Sequence, residues 1–203
     1  MKKIVITGIG TDVGKTVVSA IVSEALQASY WKPVQAGDLD NSDSKKIDRY
    51  TENVTVLPEA FLLSEPMSPH AAAEIDGVKI LKEDIVVPEV DNTLVIEGAG
   101  GLMVPVNSEG LIYADLFEAW KLPTIVVSRH YLGSINHTLL TLEVLKNRGV
   151  EVLGVIYVGD ENKATESIIQ LNSKVPFIAR IPMAERLDKE FILKQAERLK
   201  DIL

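Results

Sequence analysis

The sequence contains no cysteine among its 203 residues. Disulfide bridges, thiolate nucleophiles and cysteine-ligated zinc or iron–sulfur centres are thereby excluded. A long basic run is also missing, and 21 Lys+Arg against 29 Asp+Glu leave a formal net charge of -8. That balance argues against a nucleic-acid surface or an anionic membrane as partner. No apolar stretch has the length of a membrane span. The polar start MKK runs directly into a strand soon interrupted by Gly8, so neither a signal peptide nor a membrane anchor is expected there, and a cytoplasmic location is. There is no GxSxG nucleophile elbow, no repeat with a period of roughly 20 to 50 residues, no low-complexity tract and no Gly/Ser linker. What is present is a chain 46% hydrophobic and 25% charged, of a length that suits one globular domain over residues 1–203 with small molecules or protein as partners.

The stretch around which the chain is organised is KIVITGIGTDVGKTVV, Lys3 to Val18. The apolar run Ile4–Ile6 reads as a strand, the loop after it holds Gly8, Gly10 and Gly14, and from Lys15 the pattern becomes helical. Strand, glycine loop and helix in that order make a phosphate-binding loop. Its N–H groups converge on an anion at the positive end of the helix. Gly14-Lys15-Thr16 is its closing triplet, with Lys15 suited to the β and γ phosphates and the Thr16 hydroxyl to Mg²⁺. The spacing is deviant, because the position five before Gly14 is Ile9. A chance GKT at a helix start is the competing explanation, and the buried strand before it with the amphipathic helix after it favour nucleotide binding.

Beyond the loop, strand and helix patterns alternate. Val18, Ile21, Val22, Ala25 and Leu26 form one apolar stripe of a crossover helix. Tyr30–Val34 reads as a short strand ending at Pro33 and Gly37, and the polar run DLDNSDSKK after it has turn composition. Lys32 at that strand's carboxyl end is either solvated or turned toward a phosphate or bound acid. Asp38, Asp40 and Asp43 are turn formers, of which one near a phosphate loop can serve Mg²⁺. Asn53–Val90 is the least legible segment. It reads as an excursion over the sheet edge, with a short helix over Pro69–Glu74 capped by Ser68 and with His70 either a ligand contact or, as is commoner at a helix start, a surface or capping residue. Thr93–Glu97 is a buried parallel strand. Glu97 stands at its tip before the turn Gly98-Ala99-Gly100-Gly101, where an Mg²⁺-side acid is expected. Helices follow over Ile112–Trp120, Ile135–Asn147 and Ala164–Leu171, strands over Thr124–Ser128, Val152–Val158 and Phe177–Ile181, and then a terminal helix. Gly133 and Ser134 open the second of those helices and make a further anion site suited to a carboxylate. The fold class expected is α/β: a doubly wound, mainly parallel sheet flanked by helices, of the P-loop NTPase type.

The motifs GTDVGKT, KPVQAG, NSD, EPMSPH, IEGAGG, LGSINHTLLT and IPMAE, in this order over nearly the whole chain, resemble the dethiobiotin synthetase family. The resemblance implies an ATP- and Mg²⁺-dependent ring closure that turns 7,8-diaminopelargonate and CO₂ or bicarbonate into dethiobiotin, ADP and phosphate. It proceeds through a carbamate activated as a mixed carbamic–phosphoric anhydride. Thr11, Asp12, Val13, Gly14, Lys15, Thr16 and Val17 then resemble the phosphate loop, with Lys15, Lys32 and Thr11 in catalytic positions. Thr16, Asp43 and Glu97 match the Mg²⁺ side, and Gly98, Ala99 and Gly100 match the nucleotide-side turn. Val158, Gly159, Pro182, Met183 and Ala184 resemble the surroundings of the nucleotide base. Ala36 lies at the diamine, while Leu132, Gly133, Ser134, Ile135 and Asn136 resemble the helix start that holds the substrate carboxylate. In the family that start comes from the other subunit of a homodimer, so each active site is implied to lie at a dimer interface.

Three positions depart from the family pattern. Ala36 replaces a serine or threonine, which removes one substrate hydrogen bond worth about 0.5–1.5 kcal/mol net. Val158 and Gly159 stand in place of the asparagine that reads the adenine edge, which implies recognition by backbone or shape. Asp12 shortens a glutamate by one methylene. Two other classes compete with the synthetase. A partition-type P-loop switch ATPase would carry a lysine four residues before Gly14, where this chain has Gly10. A nucleotide-binding module without activity fits poorly with Lys15, Thr16, Lys32, Asp43 and Glu97 all in place. A related amidotransferring synthetase would need a glutaminase cysteine.

Overall fold

The computed structural model describes residues 2–203. Among them, seven parallel strands form one sheet. They are β1 (Lys3–Gly8), β2 (Ser29–Trp31), β4 (Thr55–Val56), β6 (Leu94–Glu97), β7 (Thr124–Arg129), β8 (Val152–Val158) and β9 (Phe177–Ile181), in the spatial order β4-β2-β6-β1-β7-β8-β9. Ile4–Ile6, Leu94–Ile96 and Ile125–Val127 are buried throughout, as continuous apolar strands covered on both faces must be. The covering helices are α1 (Lys15–Leu26), α2 (Asp43–Tyr50), α4 (Tyr113–Trp120), α5 (Ser134–Asn147), α6 (Lys163–Ser173) and α7 (Lys189–Leu199). The expected doubly wound α/β architecture is the one observed.

From β1 the chain first builds leftward to β2 and β4, returns through β6, and then builds rightward through β7, β8 and β9. The direction therefore reverses at β1, and a crevice opens beyond the carboxyl ends of β1, β2 and β6. Strand register decides what faces it. Ile6 pairs with Glu97, and Tyr30 and Trp31 pair with Val95 and Ile96. Lys32, one residue past Trp31, is therefore level with Glu97. Tyr30 shares its face of β2 with Lys32, because side chains alternate with period two.

The reading of Tyr30–Val34 as one strand needs correction. β2 stops at Trp31, Pro33 interrupts, and Val34–Ala36 (β3) leaves the main sheet to pair in parallel with Phe61–Leu63 (β5) in a second, two-stranded sheet. A proline has no N–H to donate to the ladder, so the strand cannot continue in place. DLDNSDSKK is likewise more than a turn. Ser42 accepts a hydrogen bond from the Lys45 N–H at 3.3 Å and starts α2 at Asp43. Its few apolar residues, among them buried Ile47, give a weak periodic signal, so the helix is hard to read from sequence. The short helix α3 (Pro69–Ile75) forms as expected, but the Ser68 hydroxyl does not cap it. That oxygen pairs instead with His70 Nδ1 at 2.9 Å.

β3, β5 and α3 carry the segment Pro66–Pro69 to the rim of the crevice. The close approach that holds it there is at Gly37, whose φ is +68° and where a Cβ would lie 2.4 Å from Pro66 Cα. Backbone on backbone cannot yield as a flexible side chain can. Gly37→Ala is expected to cost about 1–3 kcal/mol of stability, read as a lower urea midpoint at unchanged slope. A midpoint equal to that of the unaltered protein would show that the segment shifts freely.

Candidate active site

A cleft of about 710 Å³ opens where the crevice was located. Its floor is the phosphate loop. Gly14 takes φ +95° immediately before α1, and no side chain caps that helix and no acid stands in its first turn. The open N–H groups at its positive end are therefore left for an anion. Thr11, Asp12, Gly14, Lys15, Thr16 and Val17 line the cleft. Val13 does not: it is buried, and its side chain lies against the position where a Gly8 Cβ would stand.

Four charged or polar groups converge above the loop. Glu97 is 1% exposed, and its Oε1 accepts the Thr16 hydroxyl at 2.8 Å and lies 3.5 Å from Lys32 Nζ. Lys32, 5% exposed, also forms a direct ion pair with Asp43 Oδ2. Asp43 Oδ1 is 3.5 Å from Lys46 Nζ, so each of its oxygens faces a lysine. Burial opposes charge on Lys32, but Glu97 and Asp43 outweigh it and hold the ammonium pKa above the ordinary lysine value. For Asp43, burial favours the neutral acid, and Lys32 overcomes this and lowers the pKa. Lys15 differs. Burial is its dominant influence, and its pKa is lowered despite Glu97. Its Nζ donates to the Gly10 carbonyl at 2.7 Å, folded back over its own loop. The site thus holds one lysine stabilised by carboxylates and one desolvated lysine beside the N–H groups of the loop, the polarity expected for phosphoryl transfer.

The other predicted positions divide into four groups. Ala36 lines the cleft beside Gln35, as do Ala99 and Gly100. Gly98 lies behind, where a Cβ would stand 3.1 Å from Phe117. Val158 packs against the phosphate loop, 3.1 Å from a Gly14 Cβ, and the Gly159 N–H donates to the Ile181 carbonyl at 2.9 Å. That bond sets the turn after β8 beside Pro182, Met183 and Ala184. Leu132, Gly133, Ser134, Ile135 and Asn136 are outside this cleft: Gly133 opens α5 with φ +104°, Leu132 is fully exposed and only Ser134 is buried. Of the loop acids, Asp43 reaches the cleft while Asp38 and Asp40 are exposed. His70 lies away from it.

Sequence reasoning does not single out Tyr30, Gln35 or Lys46. Gln35 is buried and bridges the cleft wall, accepting the Asp43 N–H at 3.3 Å and donating to the Gly37 carbonyl at 2.9 Å. Tyr30 donates to Glu97 Oε2 at 2.9 Å. The period-two spacing of Tyr30 and Lys32 is the one sequence signal that points to it, and it carries weight only once β2 and β6 are known to be neighbours.

The oxygen donors here suit a hard divalent cation. One hydroxyl and two carboxylates, from Thr16, Asp43 and Glu97, meet around Lys32, and among the described residues no cluster of three or more His, Asp or Glu forms a closed cage. Mg²⁺ is commonly held by one or two carboxylates with substrate phosphates and water supplying the rest.

Comparison with known proteins agrees with this arrangement. A family model described as an AAA domain matches residues 2–191. An ATP-dependent dethiobiotin synthetase of Christiangramia forsetii is 53% identical over 98% of this chain and 96% of its own length. Synthetases of the same name from Rhodopseudomonas palustris and Brucella ovis are 47% and 44% identical, over 92% and 93% of this chain and 90% and 89% of theirs. Among solved structures, a ParA family ATPase from Chlorobium tepidum superposes with a TM-score of 0.63 at 16% identity, covering 99% of this chain and 95% of that one. The cell division ATPase MinD of Pyrococcus furiosus gives 0.59 at 16% identity over the whole of both chains. At such identities the last two establish a shared P-loop fold and nothing of function, so they lend no weight to a partition-type switch. Identity sustained from end to end with three synthetases does: the chain belongs to the ATP-dependent dethiobiotin synthetase family.

Proposed function

We propose that the chain, as a single catalytic domain over residues 1–203, closes the ureido ring of dethiobiotin from 7,8-diaminopelargonate, CO₂ and ATP. The observation that carries this reading is the convergence of Lys15, Thr16, Lys32, Asp43 and Glu97 in one cleft of a chain 53% identical to a dethiobiotin synthetase. One amine of the substrate adds to CO₂ and loses a proton to give a carbamate. A carbamate oxygen attacks the γ-phosphorus, ADP leaves, and a carbamic–phosphoric anhydride results. The second amine attacks its carbonyl carbon, phosphate departs, and the cyclic urea closes. No step needs a covalent enzyme nucleophile, which suits a chain without cysteine.

The residues of the cleft supply position and charge. The loop N–H groups at the start of α1 cradle the phosphates. Lys15 turns from Gly10 to the β- and γ-phosphoryl oxygens, and Lys32 neutralises charge shared between the carbamate and the transferring group. Thr11 lines the cleft beside them. Thr16, Asp43 and Glu97 would hold Mg²⁺, which when bound neutralises phosphate charge and fixes the polyphosphate. The base lies against Val158, Gly159 and Pro182–Ala184 and is recognised by shape and backbone. Leu132–Asn136 leave this chain's own cleft and complete that of a partner in a homodimer, where the start of α5 receives the substrate carboxylate. The exposed Leu132 and Ile135 flanking that helix start support the dimer reading. No helix among the described residues is long and apolar enough to cross a membrane. We assign the reaction to the cytoplasm, where ATP is available.

The test is phosphate release from ATP with Mg²⁺ and bicarbonate, with and without 7,8-diaminopelargonate, with the product read by mass. Release that depends on the diamine, with one dethiobiotin per phosphate, is the expected outcome. Release indifferent to the diamine would move the reading to a switch ATPase.

A further inference from the structure

Tyr30 is wholly buried in β2, yet it ends in a hydroxyl that must find a partner. That partner is Glu97 Oε2, 2.9 Å away. The other oxygen, Oε1, accepts from Thr16 at 2.8 Å and faces Lys32 at 3.5 Å. The two oxygens of this carboxylate are therefore divided, one tied back to the neighbouring strand and one turned to the cleft. The division follows from register. Tyr30 pairs with Val95 and Trp31 with Ile96, so on one face of the neighbouring strand Lys32 stands level with Glu97 and Tyr30 two residues deeper.

We propose that Tyr30 is a positioning residue for phosphoryl transfer: its hydroxyl locks the Glu97 carboxylate so that Oε1 alone is presented to Thr16, Lys32 and a divalent cation. This rests on the reading of Glu97 as an acid of the phosphoryl-transfer site. Tyr30 does not line the cleft, so it acts only through Glu97. A freely turning carboxylate would share both oxygens among Thr16 and Lys32 and lose its aim at the cation. Groups that orient an acid in this way act through it.

The experiment compares Tyr30→Phe, Glu97→Gln and the double variant with the unaltered protein. Phenylalanine keeps the packing and removes only the donor. Tyr30→Phe is expected to lower kcat roughly 10- to 100-fold, the range typical of an outer partner of a ligand, with the diamine KM little changed. Without turnover, Mn²⁺ affinity of the protein with ADP, read from the free Mn²⁺ signal in electron paramagnetic resonance, is expected to weaken by a comparable factor. Adding Tyr30→Phe to Glu97→Gln is expected to change neither readout by more than about twofold, because a residue that acts through Glu97 has nothing left to act on. Tyr30→Phe with a lower unfolding midpoint but unchanged kcat and Mn²⁺ affinity would overturn the proposal, as would equal losses in the two backgrounds. If the single variant does not fold, a folded double variant that behaves as Glu97→Gln supports it, and an unfolded one overturns it. Failure of the synthetase reading would show separately, as no diamine-dependent turnover in the unaltered protein, while the Mn²⁺ arm still reports on Tyr30.

Discussion

Lys32→Met is expected to lower turnover by roughly 10²–10³-fold and at the same time to destabilise the fold by about 3–5 kcal/mol. Methionine keeps most of the stem, so little of either effect comes from packing. The catalytic part follows from removing a fixed positive charge in a site whose chemistry is almost entirely charge neutralisation. The stability part follows from what is left behind. Asp43 and Glu97 face each other across the missing ammonium, and Glu97 has 1% of its surface exposed. Asp43 is partly exposed and keeps Lys46, but Glu97 is left as a buried carboxylate without its cation, which costs more than the ion pair contributed.

The variant should also reverse the acid dependence of stability. In the unaltered protein Asp43 has a lowered pKa, so its contribution is present above the unfolded value of 3.8 and is lost as pH falls through the lower folded value. Lys32 has a raised pKa, so its contribution holds below 10.5 and fades only as pH rises through the folded value. Without Lys32, Asp43 loses the counter-charge that lowers its pKa and is left facing Glu97, so its folded pKa rises and acid relieves the strain. Urea midpoints measured from neutral pH down to about pH 4 should therefore narrow the gap between variant and parent. A gap that widens with acid would mean that Lys32 is not the counter-charge of this pair.

Lys15→Ala should show a contrasting pattern: turnover falls by about a thousandfold while stability hardly changes. Lys15 is held with a lowered pKa because burial works against its charge, and its one short hydrogen bond is to Gly10 O. Removing a desolvated cation relieves one cost as it forfeits one bond, so the two nearly cancel. The loss appears only when phosphates enter the loop and need that cation. Diamine binding, measured calorimetrically without nucleotide, should stay near the parent value. Comparable turnover in variant and parent would remove Lys15 from the phosphate-binding role, and a large loss of stability would show that its bond to Gly10 builds the loop.

Legibility in the sequence tracked the kind of force that makes each element. β8 has the bounds expected from its apolar run, Val152–Val158, because a doubly covered parallel strand must be continuously apolar, and the edge strand β9, which carries Arg180, also has its expected bounds, Phe177–Ile181. The residues of α2 have the composition of a turn, because the helix is made by the Ser42 cap and a narrow apolar face rather than by a broad stripe. The phosphate loop was legible because its function needs glycines, a lysine and a hydroxyl at adjacent positions. Position at a strand tip pointed to Glu97 and left Lys32 open, while Asp43 was one of three loop acids until the family likeness singled it out. Their mutual geometry was not legible, and Tyr30 was passed over altogether, because strand neighbours are set by topology.

Local chemistry is written in the residue order: a strand feeding an anion-binding helix start, alternating crossovers, the absence of any thiol, and acids and lysines at strand tips. These are properties of residues a few positions apart, and short-range sterics and periodicity decide them. Only the tertiary structure decided that β6 inserts between β2 and β1, although β2 and β6 are far apart in the chain. That insertion brings Lys32 level with Glu97, sets Tyr30 behind it, and makes one buried charge network of residues that no sequence window contains. The physical reason is that a strand's partner is chosen by the global burial of both sheet faces.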